Sequence, residues 1–355
     1  MKETISTRQI CFILFAYNAA TKMLLYPTFA ADAAGNALAF PVLFDILVQA
    51  VIIWSIAFLS SRTQCSFFDL MKNTFGTVTA RIFYVLFALY FLLGAIVPIN
   101  EQQLLVHDSF YDTLPSLWIF LPFFIFAVYA GVKSFTNVGR CADLCMPIFV
   151  FCIFSFLLMS FEGADFSNLL PVLKQPFSKL AGLSLSSLYR FSDSAFLLIF
   201  MGHYKYRKGD AAKITVSYVA GGLAVAAFIT MFYCVYGNLT ATRSFALSNI
   251  SVFFPAIGYV GRIDLFLLYA FDLVALFAEV LHIQAFVHCL CKAFDKNVRI
   301  IYSVIASAVL IAVMFIVNNK FFALQQAAAK WFWIPAVVFA YVIPVLAWTL
   351  RRKPR

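Results

Sequence analysis

Ten stretches of this sequence stay apolar for about the length a helix needs to cross a bilayer, and that repetition restricts the fold more than any other feature. They lie near residues 8–30, 39–60, 80–104, 114–131, 141–160, 184–203, 213–236, 258–290, 298–318 and 331–350. In lipid every backbone N–H and C=O needs a partner inside the protein, so runs of this kind fold as helices. Composition points the same way: 63% of the 355 residues are hydrophobic and only 12% charged, with a mean hydropathy of +0.91. The expected fold class is an all-α integral membrane protein with ten transmembrane helices. No separate soluble domain, linker or low-complexity segment is visible, so residues 1–355 read as one bundle. Met1–Gln9 runs into the first span without a small-residue cleavage site, and no cleavable signal is expected.

The formal charge of +10 invites a nucleic-acid reading, which the placement of the charges removes. With the N-terminus in the cytoplasm, alternate loops and both ends hold eighteen of the 26 basic residues, including Arg62, Lys133, Arg140, Lys292 and the tail 351–355. Six fall on the other side, and Lys22 and Arg190 lie within spans. This asymmetry orients both termini inwards. Two outer loops, 161–183 and 237–257, are long enough to cover a site or dock a partner. Residues 66–77 read as a short helix along the inner interface.

The first run, ISTRQICFILFAYNAATKMLLYPTF, starts as an ordinary span and then meets Asn18, Thr21 and Lys22 before ending at Tyr26-Pro27. Counted from Arg8, Lys22 stands about 21 Å into a hydrocarbon layer of roughly 30 Å. Either it snorkels to the outer interface or it faces protein or water as a functional charge. Span six carries Tyr189, Arg190, Ser192, Asp193 and Ser194 near its middle. The ten spans divide as five plus five, with repeats of about 8–160 and 184–350, and an odd number per half forces the halves into opposite orientation. Interrupted spans at corresponding places, one and six, then point to a binding site near the bilayer midplane. Without Gly or Pro in span six, Arg190 and Asp193 could also form an i,i+3 pair on an unbroken helix.

These stretches carry a family resemblance. ISTRQICFILFAYNAATKMLLYPTFAADAAG, INEQQLLVHDSFYDTLPSLWIF, GVKSFTNVGRCADLCMPIF, FSNLLPVLKQPF and GRIDLFLLYAFDL, in that order and spacing, resemble the endospore germination permeases. Those are the B subunits of nutrient germinant receptors, within the amino acid–polyamine–organocation transporter superfamily. The resemblance implies an inverted-repeat bundle of the leucine-transporter type. It also implies a small nutrient, typically an amino acid, held between spans one, three, six and eight. The partners implied are an A-type subunit and a lipoprotein C-type subunit in the spore inner membrane. The glycines usual in the two breaks are replaced here by Asn18-Ala19-Ala20-Thr21-Lys22 and by Ser192-Asp193-Ser194. That departure suggests that Lys22 and Asp193 face each other, closing an empty site or meeting a ligand's carboxylate and ammonium. Substrate-binding candidates are Asn18, Thr21, Lys22, Tyr26, Tyr189, Arg190, Ser192 and Asp193.

In span eight, Asp272 and Glu279 share a helix face and His282 follows one turn later. Carboxylates and a histidine on a membrane-buried face build ion sites or proton relays, and equally serve as a polar stripe bonded to neighbouring helices. Asp45 with Gln49 is a weaker candidate, and Glu101 is expected at the outer interface. The Glu-x-x-His spacing lacks the second copy a di-iron bundle needs, and the eight cysteines lack zinc-site partners, so no metal or other cofactor is expected. Two sequons, at Asn238 and Asn249, arise readily by chance. With no nucleophile–base pair or nucleotide fingerprint, an enzyme is not expected. A germinant-receptor subunit and an autonomous proton-coupled amino-acid transporter remain, and one site would serve either.

Overall fold

Ser6 starts the first helix by accepting a hydrogen bond from the Gln9 amide while the Gln9 side chain accepts from the Ser6 amide. This reciprocal cap satisfies two of the amides a helix start leaves open. The helix, α1 (Thr7–Ala20), ends where the polar residues begin, and α2 (Tyr26–Ala34) restarts the span with Pro27 in its first turn, where a proline costs no hydrogen bond. The computed structural model describes residues 4–110, 113–171, 175–252, 263–317 and 320–349. The tail 351–355 and residues 253–257 of the second long outer loop lie outside the described residues.

The chain continues through α3 (Ala39–Thr63), the short α4 (Phe67–Phe75), α5 (Thr77–Phe110), α6 (Ser116–Val132) and α7 (Phe135–Phe161). Ser66 caps α4, whose Phe67 is buried and whose Lys72 and Asn73 are exposed, so it is the short surface helix expected there. Then come α8 (Phe177–Ser187), α9 (Ser194–Phe200), α10 (Asp210–Tyr236) and α11 (Ala246–Val252). The last four are α12 (Ile263–Phe294), α13 (Arg299–Val317), α14 (Phe321–Trp331) and α15 (Trp333–Trp348). Val337–Val342 within α15 is π-helical.

Among the described residues there is no β-strand, only an isolated bridge from Ile5 to Tyr204. Six helices there are long and apolar enough to cross a membrane: α3, α5, α7, α10, α12 and α13. The pair α14 and α15, bent by 43°, adds a seventh. Their outward faces carry Phe44, Leu47 and Trp54 on α3 and Phe151 and Phe154 on α7, as lipid contact requires. The protein is a multi-pass membrane protein.

Two close approaches fix the interior. Helix α1 lies so near α10 that a Cβ at Gly221 would stand 3.0 Å from the Phe15 carbonyl oxygen. Helices α5 and α12 pack side by side, with Gly94 admitting the His282 ring. Part of the outer loop expected at 161–183 is helical: α8 begins at Phe177 behind Pro176, earlier than a span opening near 184.

Candidate functional site

Five residues without helical structure, Thr21 to Leu25, separate α1 from α2, and six, Leu188 to Asp193, separate α8 from α9. Carbonyls in both gaps find partners on other elements. The Leu24 carbonyl accepts from the Ala246 amide of α11 at 3.3 Å. The Phe191 carbonyl accepts from Gln49 Nε2 of α3 and from the Tyr341 hydroxyl of α15, both at 2.5 Å. Ser194 donates to the Ala340 carbonyl at 2.6 Å, inside the π-helical stretch. Ser184 and Ser187, on the last turn of α8, both donate to the Asp45 carboxylate. Side chains of the second and last spans therefore hold the second gap open, and Asp45, Gln49 and Tyr341 have a structural reason to be where they are.

Lys22 and Asp193 stand across from each other between the gaps, both fully buried. The ammonium is 2.9 and 3.1 Å from the two carboxylate oxygens and donates its third hydrogen bond to the Asn18 carbonyl at 3.3 Å. The rings of Tyr17 and Phe191 flank it at 5.5 and 5.1 Å. All three N–H donors of Lys22 are used, which is the condition under which a buried charge pair is tolerated. Snorkelling does not occur.

Arg190 does not pair with Asp193. Its Nη2 donates to Glu101 Oε1 at 2.6 Å and to Gln325 Oε1 at 2.9 Å, and Gln325 Nε2 donates back to Glu101 Oε1 at 2.9 Å. Glu101, expected at the interface, is wholly buried. The reason is the gap in span six, which lets Arg190 reach α5 and gives Glu101 a counter-ion inside the bundle. The guanidinium also lies 5.4 Å from the Tyr26 ring and 5.3 Å from that of Tyr189.

Beside Arg190 lies a cavity with about 40 Å³ of water-accessible space, little more than a water's share of liquid volume. Thr21, Tyr189, Arg190, Ser192 and His282 line it, together with Tyr17, Tyr90, Phe91, Phe196 and Phe332. Thr21 and Ser192 turn their hydroxyls back to the Tyr17 and Tyr189 carbonyls. Asn18, Lys22, Tyr26 and Asp193 do not line it, and Asn18 spends its amide on the Tyr218 carbonyl at 3.0 Å.

The span-eight residues separate. His282 reaches the cavity and shares a hydrogen bond with the Tyr17 hydroxyl at 3.0 Å. Asp272 is bonded to Gln102 of α5. Glu279 is buried with neither carboxylate oxygen partnered. Among the described residues no three His, Cys, Asp or Glu groups are placed to hold a metal ion. Gln325 and Tyr17 were not singled out in the sequence: Gln325 lies ahead of the last span expected at 331–350, and Tyr17 sits in an apolar run it does not interrupt. Glu101 had a signal, a carboxylate one turn from Pro98 within a span.

Residues 4–322 match the model of a family described as spore germination protein. The chain belongs to that family. This germination protein is also similar to a solved structure, described as the crystal structure of MhsT in complex with L-phenylalanine. The identity is 11%, the TM-score 0.58, and the match covers 96% of this chain and 97% of that one. The likeness gives the fold of the germination protein as the leucine-transporter type. No curated protein sequence matches it. Family membership and apolar helices make it a membrane permease of the germination class.

Proposed function

We propose that this chain is the membrane subunit of a spore germinant receptor, binding a small amino acid between its interrupted first and sixth spans. Binding would signal to A-type and lipoprotein C-type partner subunits in the spore inner membrane. The reading includes ten spans in two inverted five-helix repeats, about 8–160 and 184–350, with both termini cytoplasmic. The seven apolar spans, α6, and the two interrupted spans α1–α2 and α8–α9 make up that number.

The observation that carries it is the bidentate Lys22–Asp193 pair across the two gaps. An amino-acid zwitterion has the same two charges in one small molecule. Its carboxylate could take the ammonium of Lys22, and its ammonium the carboxylate of Asp193, so neither protein charge is left bare. The pair would then be the closed form of the site, opened only by a ligand that replaces both halves. Thr21, Tyr189, Arg190 and Ser192 would face the ligand's side chain, with Asn18 and Tyr26 supporting the gap. That the similar MhsT structure holds L-phenylalanine supports an amino acid as the ligand class.

A screen of single amino acids by thermal unfolding of the purified chain tests this. A ligand at a hundred times its dissociation constant stabilises by about 2.7 kcal/mol. An L-amino acid is expected to raise the midpoint of the natural chain and to leave Lys22→Met unmoved. Equal stabilisation of both, or none by any amino acid, would overturn the assignment.

One observation favours a second reading, an autonomous proton-coupled transporter. Glu279, unpartnered and buried on the helix that also carries Asp272 and His282, is placed as a proton carrier would be. Uptake of a labelled amino acid into liposomes holding this chain alone, driven by an imposed proton gradient, would favour it.

A further inference from the structure

At the end of the bundle that carries the N-terminal segment, two depressions that share lining residues lie outside the proposed site. The outer one is a groove of about 890 Å³ between the link from α6 to α7 and the start of α13. Lys133, Ser134 and Arg299 belong both to this groove and to a recess of about 480 Å³ that leads inwards. We infer that the groove and recess together bind the phosphate headgroup of an anionic phospholipid.

Charge comes first. Lys133 ends α6, Arg299 begins α13, and Lys292 lines the recess, while Asp69, already bonded by Ser66, is the one acidic side chain described there. Helix starts add to them. Ser134 leads into α7 without capping it by its side chain, and Arg299, Ile300 and Ile301 form the first turn of α13. Two starts of full-length helices thus lie at the same depression, which favours phosphate. The Val132 carbonyl at the end of α6 there is already taken by Arg299 Nη1 at 3.3 Å.

The second, independent feature is Gln284. It lines the recess, is 4% exposed, and spends its Nε2 on the Ala130 carbonyl at 2.7 Å, while its Oε1 has no partner. A buried acceptor left open calls for a donor, and a headgroup hydroxyl such as that of phosphatidylglycerol supplies one.

The third feature separates a lipid from a soluble anion. The groove's outer wall is Val298, Ile300 and Ile301, with Ile300 63% and Ile301 55% exposed. It continues into α13, an apolar helix with only 28% of its span buried. Acyl chains can lie along that wall with the phosphate between Lys133 and Arg299. A free phosphate would leave it bare. Basic pockets between helix ends are the usual setting for such lipids.

The test uses the whole chain in phosphatidylcholine nanodiscs, titrated with phosphatidylglycerol and read by thermal unfolding and native mass spectrometry. In parallel it is titrated in detergent with inorganic phosphate and with glycerol 3-phosphate. Phosphatidylglycerol is expected to stay bound and to raise the unfolding midpoint. Combining Lys133→Gln with Arg299→Gln is expected to weaken it on the order of tenfold to thirtyfold. A control pair at the same end, Lys205→Gln with Lys213→Gln, is expected to leave it unchanged. If the first pair does not fold, Lys133→Gln alone is expected to weaken binding several-fold. Equal loss in the control pair would mean diffuse surface attraction, and equal stabilisation by free phosphate would mean a soluble-anion pocket. Either result overturns the lipid site, as does phosphatidylcholine binding with the same affinity.

Discussion

Replacing Lys22 by Met leaves the fully buried Asp193 carboxylate without the ammonium that pairs with both of its oxygens. Removing one partner of a buried pair costs about 3–5 kcal/mol, whereas replacing both with neutral groups of similar size is often nearly neutral. Lys22→Met is therefore expected to lower the unfolding midpoint sharply, and adding Asp193→Asn to recover most of it. Chemical unfolding in detergent checks this, and an unaffected single variant would show that the pair contributes nothing. Two other carboxylates make a matched contrast. Glu101→Gln leaves Arg190 without its anion and is expected to cost a similar about 3–5 kcal/mol. Glu279 has no partner to lose, so Glu279→Gln is expected to leave stability unchanged or higher, measured side by side with Glu101→Gln.

At the level of single elements, local chemistry and tertiary rescue part company. The end of α1 was legible because Asn18, Thr21 and Lys22 are poor company for lipid and Tyr26-Pro27 restarts a helix. The gap in span six was legible only as one of two readings, because the polar run from Tyr189 to Ser194 marks a place for a break while Ser192-Asp193-Ser194 contains nothing that forbids a helix. What ends α8 is supplied from elsewhere: Asp45 takes the hydroxyls of its last turn, and Gln49 and Tyr341 take the Phe191 carbonyl. Glu101 was misplaced for the same reason, since its burial depends on where that gap puts Arg190. Two glycines test packing against propensity. Gly182 lies inside α8 with nothing within 4 Å of an added Cβ, so Gly182→Ala is expected to stabilise by about 0.5–1 kcal/mol. Gly202 has φ +79° and would press a Cβ to 2.7 Å from the Ser66 amide nitrogen. Gly202→Ala is expected to destabilise by about 1–3 kcal/mol. Reversal of that order in thermal unfolding would contradict the geometry at both positions.

For the molecule as a whole, composition and run length were enough to read an all-helical membrane protein, and the order of the motifs its family. Charge asymmetry carries the orientation. A protease added to sealed right-side-out vesicles is expected to spare tags at both termini, and in inverted vesicles to remove both. Cleavage of either tag from the outside would reverse the assignment. Of the charges inside the bundle, the Lys22–Asp193 pair, 171 positions apart, was suggested by the missing glycines at the two interruptions, whereas the Arg190–Glu101 pair left no trace in the sequence. Only the folded path brings two polar interruptions to one depth.

The small bridge between Ile5 and Tyr204 has a practical meaning. Ile5 donates to the His203 carbonyl at 2.8 Å and Thr7 to Asp210 at 2.7 Å, so the leading residues are stapled to the segment that follows α9. A bulky fusion placed ahead of Ile5 would tug on the second half of the broken span, α9, which starts just after Asp193, the partner of Lys22. Anyone attaching a fluorophore or an affinity handle would disturb the pocket least by choosing the opposite terminus.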